Sequence, residues 1–133
     1  MTYALDTNII SYVLNGNITL SEKLESITQS GEKVVIPLIV YYEIKRGLIA
    51  NKATKKMHIF DNLCLKLNIQ DLTVDDMNTA ASIYAHHKRI GKLIDDSDLL
   101  ISAQCVTQGY MLITHNTKHF KDVDGLQLVD WMQ

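Results

Sequence analysis

Four polar residues, widely spaced along the chain, carry its chemical interest: Asp6, Glu43, Asp98 and Asn116. Asp6 directly follows the apolar-rich segment Thr2–Leu5. Glu43 lies early in the stretch that follows Pro37, and Asp98 closes the acidic run Asp95-Asp96-Ser97-Asp98. Asn116 comes two residues after a run that begins at Met111 and ends at Thr114. Three carboxylates gathered at one place repel each other strongly at neutral pH. A site that keeps them ionised holds cations between them, and ligation by oxygen alone suits Mg²⁺ or Mn²⁺. Such ions activate water and neutralise charge on a phosphodiester during in-line attack. Each acid also has an ordinary structural duty. Asp6 can cap a helix starting at Thr7, Asp98 can complement a helix dipole, and Glu43 can sit in solvent. Spacing alone leaves both readings open.

The elements that would have to gather these residues are legible in outline. Thr2 to Leu5 reads as a buried strand, and Ile9, Ile10, Val13 and Leu14 have helical spacing up to Asn15-Gly16. Ile18, Leu20, Leu24 and Ile27 mark a second helix, stopped around Gly31. Val34 to Ile36 is a β-branched strand closed by Pro37, which cannot donate to a ladder. Helices are expected over Ile39 to Ala50 and Ala53 to Leu65, and a third strand within Lys66 to Leu72. Thr73 and Asp76 form a capping-box pattern ahead of Met77, Ala80, Ala81, Tyr84 and Ala85, with Gly91 as the stop. A further helix begins at the acidic run, buries Leu99, Leu100, Ala103 and Val106, and ends at Gly109. Met111 to Thr114 and Leu126 to Val129 complete the strands. Strands alternating with helices favour a parallel sheet covered on both faces, whose sites lie at the carboxyl ends of strands.

Composition narrows the class. The chain has 133 residues, 47% hydrophobic and 21% charged, with a net charge of −2. That size suggests a single domain over residues 1–133 and excludes disorder, collagen and coiled coil as the main class. Any nucleic-acid binding must come from a local basic patch rather than global charge. Cys64 and Cys105 lie outside any CxxC pattern, which argues against a disulfide framework or zinc site. No apolar run is long enough for a membrane span and no signal peptide is apparent, so a cytoplasmic location is expected.

Fuller motifs surround the acids. Leu5-Asp6-Thr7-Asn8 resembles the opening motif of PIN domains. Tyr42-Glu43 with Ile44, Arg46 and Gly47 resembles that family's second acidic segment. Ile90 to Ile94 leading to Asp98-Leu99-Leu100-Ile101-Ser102-Ala103 resembles the third, and Leu112 to Phe120 the fourth. The order holds over nearly the whole chain, and the length is most similar to the VapC toxins of type II toxin–antitoxin pairs. The resemblance implies a three-layer α/β/α sandwich around a mainly parallel sheet of four to five strands. It implies Mg²⁺- or Mn²⁺-dependent cleavage of structured cellular RNA, such as tRNA or rRNA, and inhibition by a VapB-like antitoxin. It further implies a homodimer and toxin–antitoxin hetero-oligomers. Carried over by position, Asp6, Glu43 and Asp98 become the metal-binding carboxylates and Asn116 joins them in the catalytic set. Where many relatives place a further acid, this chain has Asn116 and His119. Asn can hydrogen-bond a metal-bound water but adds no negative charge.

Arg46, Arg89 and Lys92 are expected to meet RNA phosphates, while His86 and His87 read as helix-end residues complementing the dipole. Asp95 and Asp96 read as helix-start residues, and both cysteines as buried. A metal site cut into a sheet rim has no base-edge code of its own, so RNA shape is expected to govern selectivity. Two other classes share an acidic pocket. A receiver-type phospho-acceptor would use Asp71 and needs an acidic pair after the first strand, where Asp6 stands alone. A phosphatase with an aspartyl nucleophile needs a second Asp where Asn8 stands.

Overall fold

The computed structural model describes residues 1–132. The elements in chain order are β1 (Thr2–Leu5), α1 (Thr7–Leu14), α2 (Ile18–Gln29), β2 (Lys33–Pro37), α3 (Leu38–Ala50) and α4 (Thr54–Lys66). They continue as β3 (Asn68–Gln70), α5 (Val74–Arg89), α6 (Asp96–Gln108), β4 (Met111–Ile113), α7 (Thr117–Phe120) and β5 (Gln127–Val129). All strand pairs are parallel, in the order β3-β2-β1-β4-β5. Ala4 pairs with Val35 on one side and Leu112 on the other, so β1 is the central strand. Consecutive residues of β1, β2 and β4 are buried, as expected of strands with helices on both faces.

The order of the strands decides where a site can form. The chain crosses from β1 to β2 and β3 on one side, then returns to place β4 and β5 on the other. That reversal opens a crevice at the carboxyl ends of β1 and β4. Asp6 ends β1, and its backbone N–H donates to the Ile113 carbonyl at 2.9 Å, holding the two strand ends together.

The expected capping box is present. Thr73 Oγ1 accepts from Asp76 N at 3.0 Å, and Asp76 Oδ2 accepts from Thr73 N at 2.9 Å. The helix it starts, α5, differs from the expected pattern. Its inward residues include Asp76, Ala80, Ile83 and His87, while Met77 and Tyr84 are exposed. Helix α6 also differs, because it is buried on two sides. Ile101 and Cys105 join the sheet core, while Leu99 and Ala103 pack with Ala80 and Ile83. Leu100 and Val106 are therefore only half-buried. Gly109 ends α6 in the left-handed region at φ 73°, where a side chain would be strained. Two further features are local. Thr117–Phe120 forms a short helix anchored by buried Phe120, and Cys64 is half-buried rather than buried. No helix among the described residues is long and apolar enough to cross a membrane.

Candidate active site

The crevice between β1 and β4 gathers polar side chains from distant segments. Asp6, Glu43, Asp98 and Asn116 line one open cleft of about 290 Å³, together with Thr7, Asn8, Asp95 and His119. Local chain geometry explains how each arrives. Asp6 caps α1 and its Oδ1 accepts from Thr7 N at 2.7 Å. Glu43 lies in the second turn of α3, which starts immediately after β2. Asp98 lies in the first turn of α6, and Asn116 stands just ahead of α7.

Asp6 is buried and tightly held. Its Oδ2 accepts from Thr114 Oγ1 at 2.7 Å and from Asn8 Nδ2 at 3.1 Å. Thr114 Oγ1 in turn accepts from Asn116 N at 3.0 Å, and Asn8 Oδ1 accepts from His115 N at 3.2 Å. These bonds tie the ends of β1 and β4 to the carboxylate. Thr7 and Thr114 therefore each finish local structure and orient an acid. Glu43 accepts from Thr7 Oγ1 at 3.0 Å, and Arg46 approaches its other oxygen at 3.9 Å.

The electrostatics are those of a crowded acidic cleft. Burial raises the Asp6 carboxyl above the ordinary 3.8 despite its hydrogen bonds, with Glu43 adding to the rise. Asp98 is pushed up to about 6, first by burial and then by the charges of Asp6 and Asp95. His119 Nδ1 lies 3.3 Å from Asp98 Oδ2.

Asp95 and His119 are the residues whose place here the spacing did not give. Asp95 is the N-cap of α6, as expected, and its carbonyl accepts from Leu99 N at 2.8 Å; its side chain makes no cap bond and lines the cleft. His119 reaches Asp98 only because α7 forms; the sequence signal was its position three residues after Asn116. The basic residues separate. Lys92 lines a recess that shares Asp95, Asp98 and His119 with the cleft, beside Lys118. Arg89 ends α5 before Gly91 turns the chain at φ 72°, and it lines neither space. His87 is buried, its Nδ1 2.9 Å from the Lys92 carbonyl, which makes it part of the scaffold. Asp71, the residue a phospho-acceptor would use, is exposed beyond the edge strand β3 and outside the cleft. Asn8 donates to Asp6 where a phosphatase would place its second acid.

Among the described residues, no three Asp, Glu, His or Cys side chains converge as a ready-made metal ligand set. The acids line the cleft rather than close on a point. That arrangement suits Mg²⁺, which keeps several waters and takes one or two carboxylates together with substrate phosphate. The crowding of buried Asp6 with Glu43, Asp95 and Asp98 in one cleft is what such a cation would relieve.

A doubly covered parallel sheet with an acidic cleft at its switch point defines an α/β protein of the doubly wound class. The profile of the PIN domain matches residues 3–126. Ribonuclease VapC2 of Rickettsia felis is 27% identical over 136 residues, covering 98% of each chain. Ribonuclease VapC1 of Methanocaldococcus jannaschii is 32% identical over 97 residues, covering 71% of this chain and 69% of its own. The VapBC2 complex of R. felis bound to a promoter DNA fragment contains a chain that superposes with a TM-score of 0.92 at 26% identity, covering 98% of this chain and 99% of that one. VapBC-1 from nontypeable Haemophilus influenzae gives 0.89 at 25% identity, with both chains fully covered. The chain belongs to the PIN-domain family and, within it, to the VapC ribonucleases.

Proposed function

We propose that this protein is a Mg²⁺- or Mn²⁺-dependent endoribonuclease and the toxin of a type II toxin–antitoxin pair. In this reading residues 1–133 work as one PIN-like domain in the cytoplasm, cutting structured RNA such as tRNA or rRNA. The observation that carries it is the single cleft lined by Asp6, Glu43 and Asp98 at the carboxyl ends of β1 and β4. Relatives named as VapC ribonucleases support the activity, and structural neighbours that are VapBC complexes support the partner.

Asp6, Asp98 and Glu43 would hold the cation, which when bound supplies an activated water and neutralises charge on the phosphodiester. The remaining work falls to this chain's own groups. Thr114, Asn8 and the Thr7 amide fix the Asp6 oxygens. Thr7 fixes Glu43, and Arg46 beside it offers a charge to RNA phosphate. Lys92 extends a basic approach on the Asp98 side. Such phosphate contacts position the strand without reading sequence.

Exposed apolar side chains support the partner reading. Ile49 on α3 with Ile59 and Leu65 on α4 are exposed apolar residues suited to an antitoxin's amphipathic segment. Tyr12 and Ile39 are half-buried by comparison; Tyr12 packs edge-on to His115, and Ile39 packs against the core. Val74, Met77 and Tyr84 lie at helical spacing on the outer side of α5 and offer a face for the expected homodimer. Expression of the chain alone should arrest growth, and a co-expressed VapB-like protein should relieve the arrest. Purified protein should cut RNA with Mg²⁺ or Mn²⁺ and stop on chelation. Harmless expression of folded protein that cuts no RNA would overturn the reading.

A further inference from the structure

The acidic cleft does not end at Glu43. Thr7 and Glu43 also form the near wall of a second hollow, of about 300 Å³, between α1, α3 and the start of α4. Its walls are apolar where Leu14, Ile44 and Leu48 line it. Its far side carries the carboxamides of Asn15 and Asn51. Lys56 stands there too, donating to Asn15 Oδ1 at 2.6 Å.

We infer that this hollow is a nucleobase subsite, taking one base splayed out beside the scissile phosphate. The inference rests on the ribonuclease reading of the cleft and deepens it. Three features argue for a base. The hollow is continuous with the acidic cleft through Thr7 and Glu43, so whatever fills it is covalently close to a phosphate held at Asp6 and Asp98. Its volume is at the lower end of small-molecule sites, with room for a single planar group and not for a duplex. It joins apolar walls to two carboxamides, which present both donors and acceptors to a base edge. Recognition of this kind requires an unstacked base, so the substrate is single-stranded at the cut. The hollow thus supplies the base-edge selectivity that the carboxylate site lacks.

Gly47 gives a clean way to test this. It lines the hollow from the middle of α3, and a Cβ built there meets nothing within 4 Å. A Cβ can therefore be added there without moving the backbone, and a longer side chain at this position leans into the hollow toward Glu43, one turn back on the same helix face. Gly47→Ala serves as the control for folding and should melt at or above the wild-type temperature, since Gly is a poor helix residue. Gly47→Met should fill the hollow. Cleavage would be measured on hairpin RNAs with randomised nucleotides flanking the cut. Wild type should prefer one base at one flanking position. Gly47→Met should lower kcat/KM by roughly tenfold or more on the preferred RNA and should flatten the base preference at that flanking position. Asn15→Ala and Asn51→Ala should flatten the preference at that same position. Wild-type rates and unaltered base preference in Gly47→Met and Asn51→Ala would overturn the subsite. Loss of inhibition by a protein partner in Gly47→Met, with cleavage and preference intact, would also overturn it and assign the hollow to that partner. Absence of RNA cleavage by wild type in excess Mg²⁺ and Mn²⁺ would defeat the ribonuclease reading itself, a distinct result.

Discussion

Asp98→Asn should stabilise the metal-free protein while abolishing RNA cleavage. The folded protein holds the Asp98 carboxyl at about 6 instead of 3.8, through burial and the charges of Asp6 and Asp95. A rise of that size corresponds to ~3 kcal/mol of unfavourable charge at neutral pH. The side chain keeps 20% of its exposure, and solvent screening reduces the figure to ~1–2 kcal/mol. At ~3–5 °C per kcal/mol for a chain of this size, the variant should melt roughly 3–10 °C higher at pH 7 in a chelator. The sign follows from linkage. The folded state binds the proton more tightly than the unfolded state, so the penalty is fully present above about 6 and fades as pH falls from there to 3.8. The advantage of the variant should therefore shrink by pH 5 and vanish near pH 4. Excess Mg²⁺ should raise the melting temperature of wild type more than that of the variant, because only the folded protein offers the site. Scanning calorimetry across pH, with chelator and with Mg²⁺, reads all of this. A metal-free variant that melts below wild type at pH 7, or whose advantage grows as pH falls, would refute the argument.

Further outcomes can be stated from the same geometry. Thr114→Val removes the 2.7 Å donor to buried Asp6 and should cost ~1–3 kcal/mol in urea unfolding. Because that bond holds the Asp6 carboxyl down, its loss should also move the acid limb of the pH–rate profile upward. Asn116→Asp adds a carboxylate to the cleft and should tighten Mg²⁺ binding by calorimetry, and unchanged affinity would place the side chain outside the ligand shell. Lys92→Gln should weaken RNA binding and reduce its salt slope by about one, while Arg89→Gln should leave both nearly unchanged. Affinities measured across a salt series separate the two.

The sequence by itself determined most of what is local. Helical spacing, the Thr73–Asp76 box and Gly109 placed the elements to within a few residues, because each signal acts over one or two turns. The positions of Asp6 after a strand and Asp98 at a helix start were legible for the same reason. Periodicity was less informative where a helix has more than one neighbour. Helix α6 lies between the sheet and α5, so residues around much of its circumference are buried and a single apolar stripe misplaces Leu100 and Val106.

Only the tertiary structure decided which of these elements meet. The order β3-β2-β1-β4-β5 puts the ends of β1 and β4 side by side and so brings Thr114 to within 2.7 Å of Asp6 across most of the chain's length. It also brings the helix-cap residue Asp95 to the cleft, draws His119 to Asp98, and separates Lys92 from Arg89 across the Gly91 turn. Local spacing specifies a face and a boundary. Which distant face it meets depends on strand order and helix packing, and these are fixed by burial across the whole chain rather than by any short window of it.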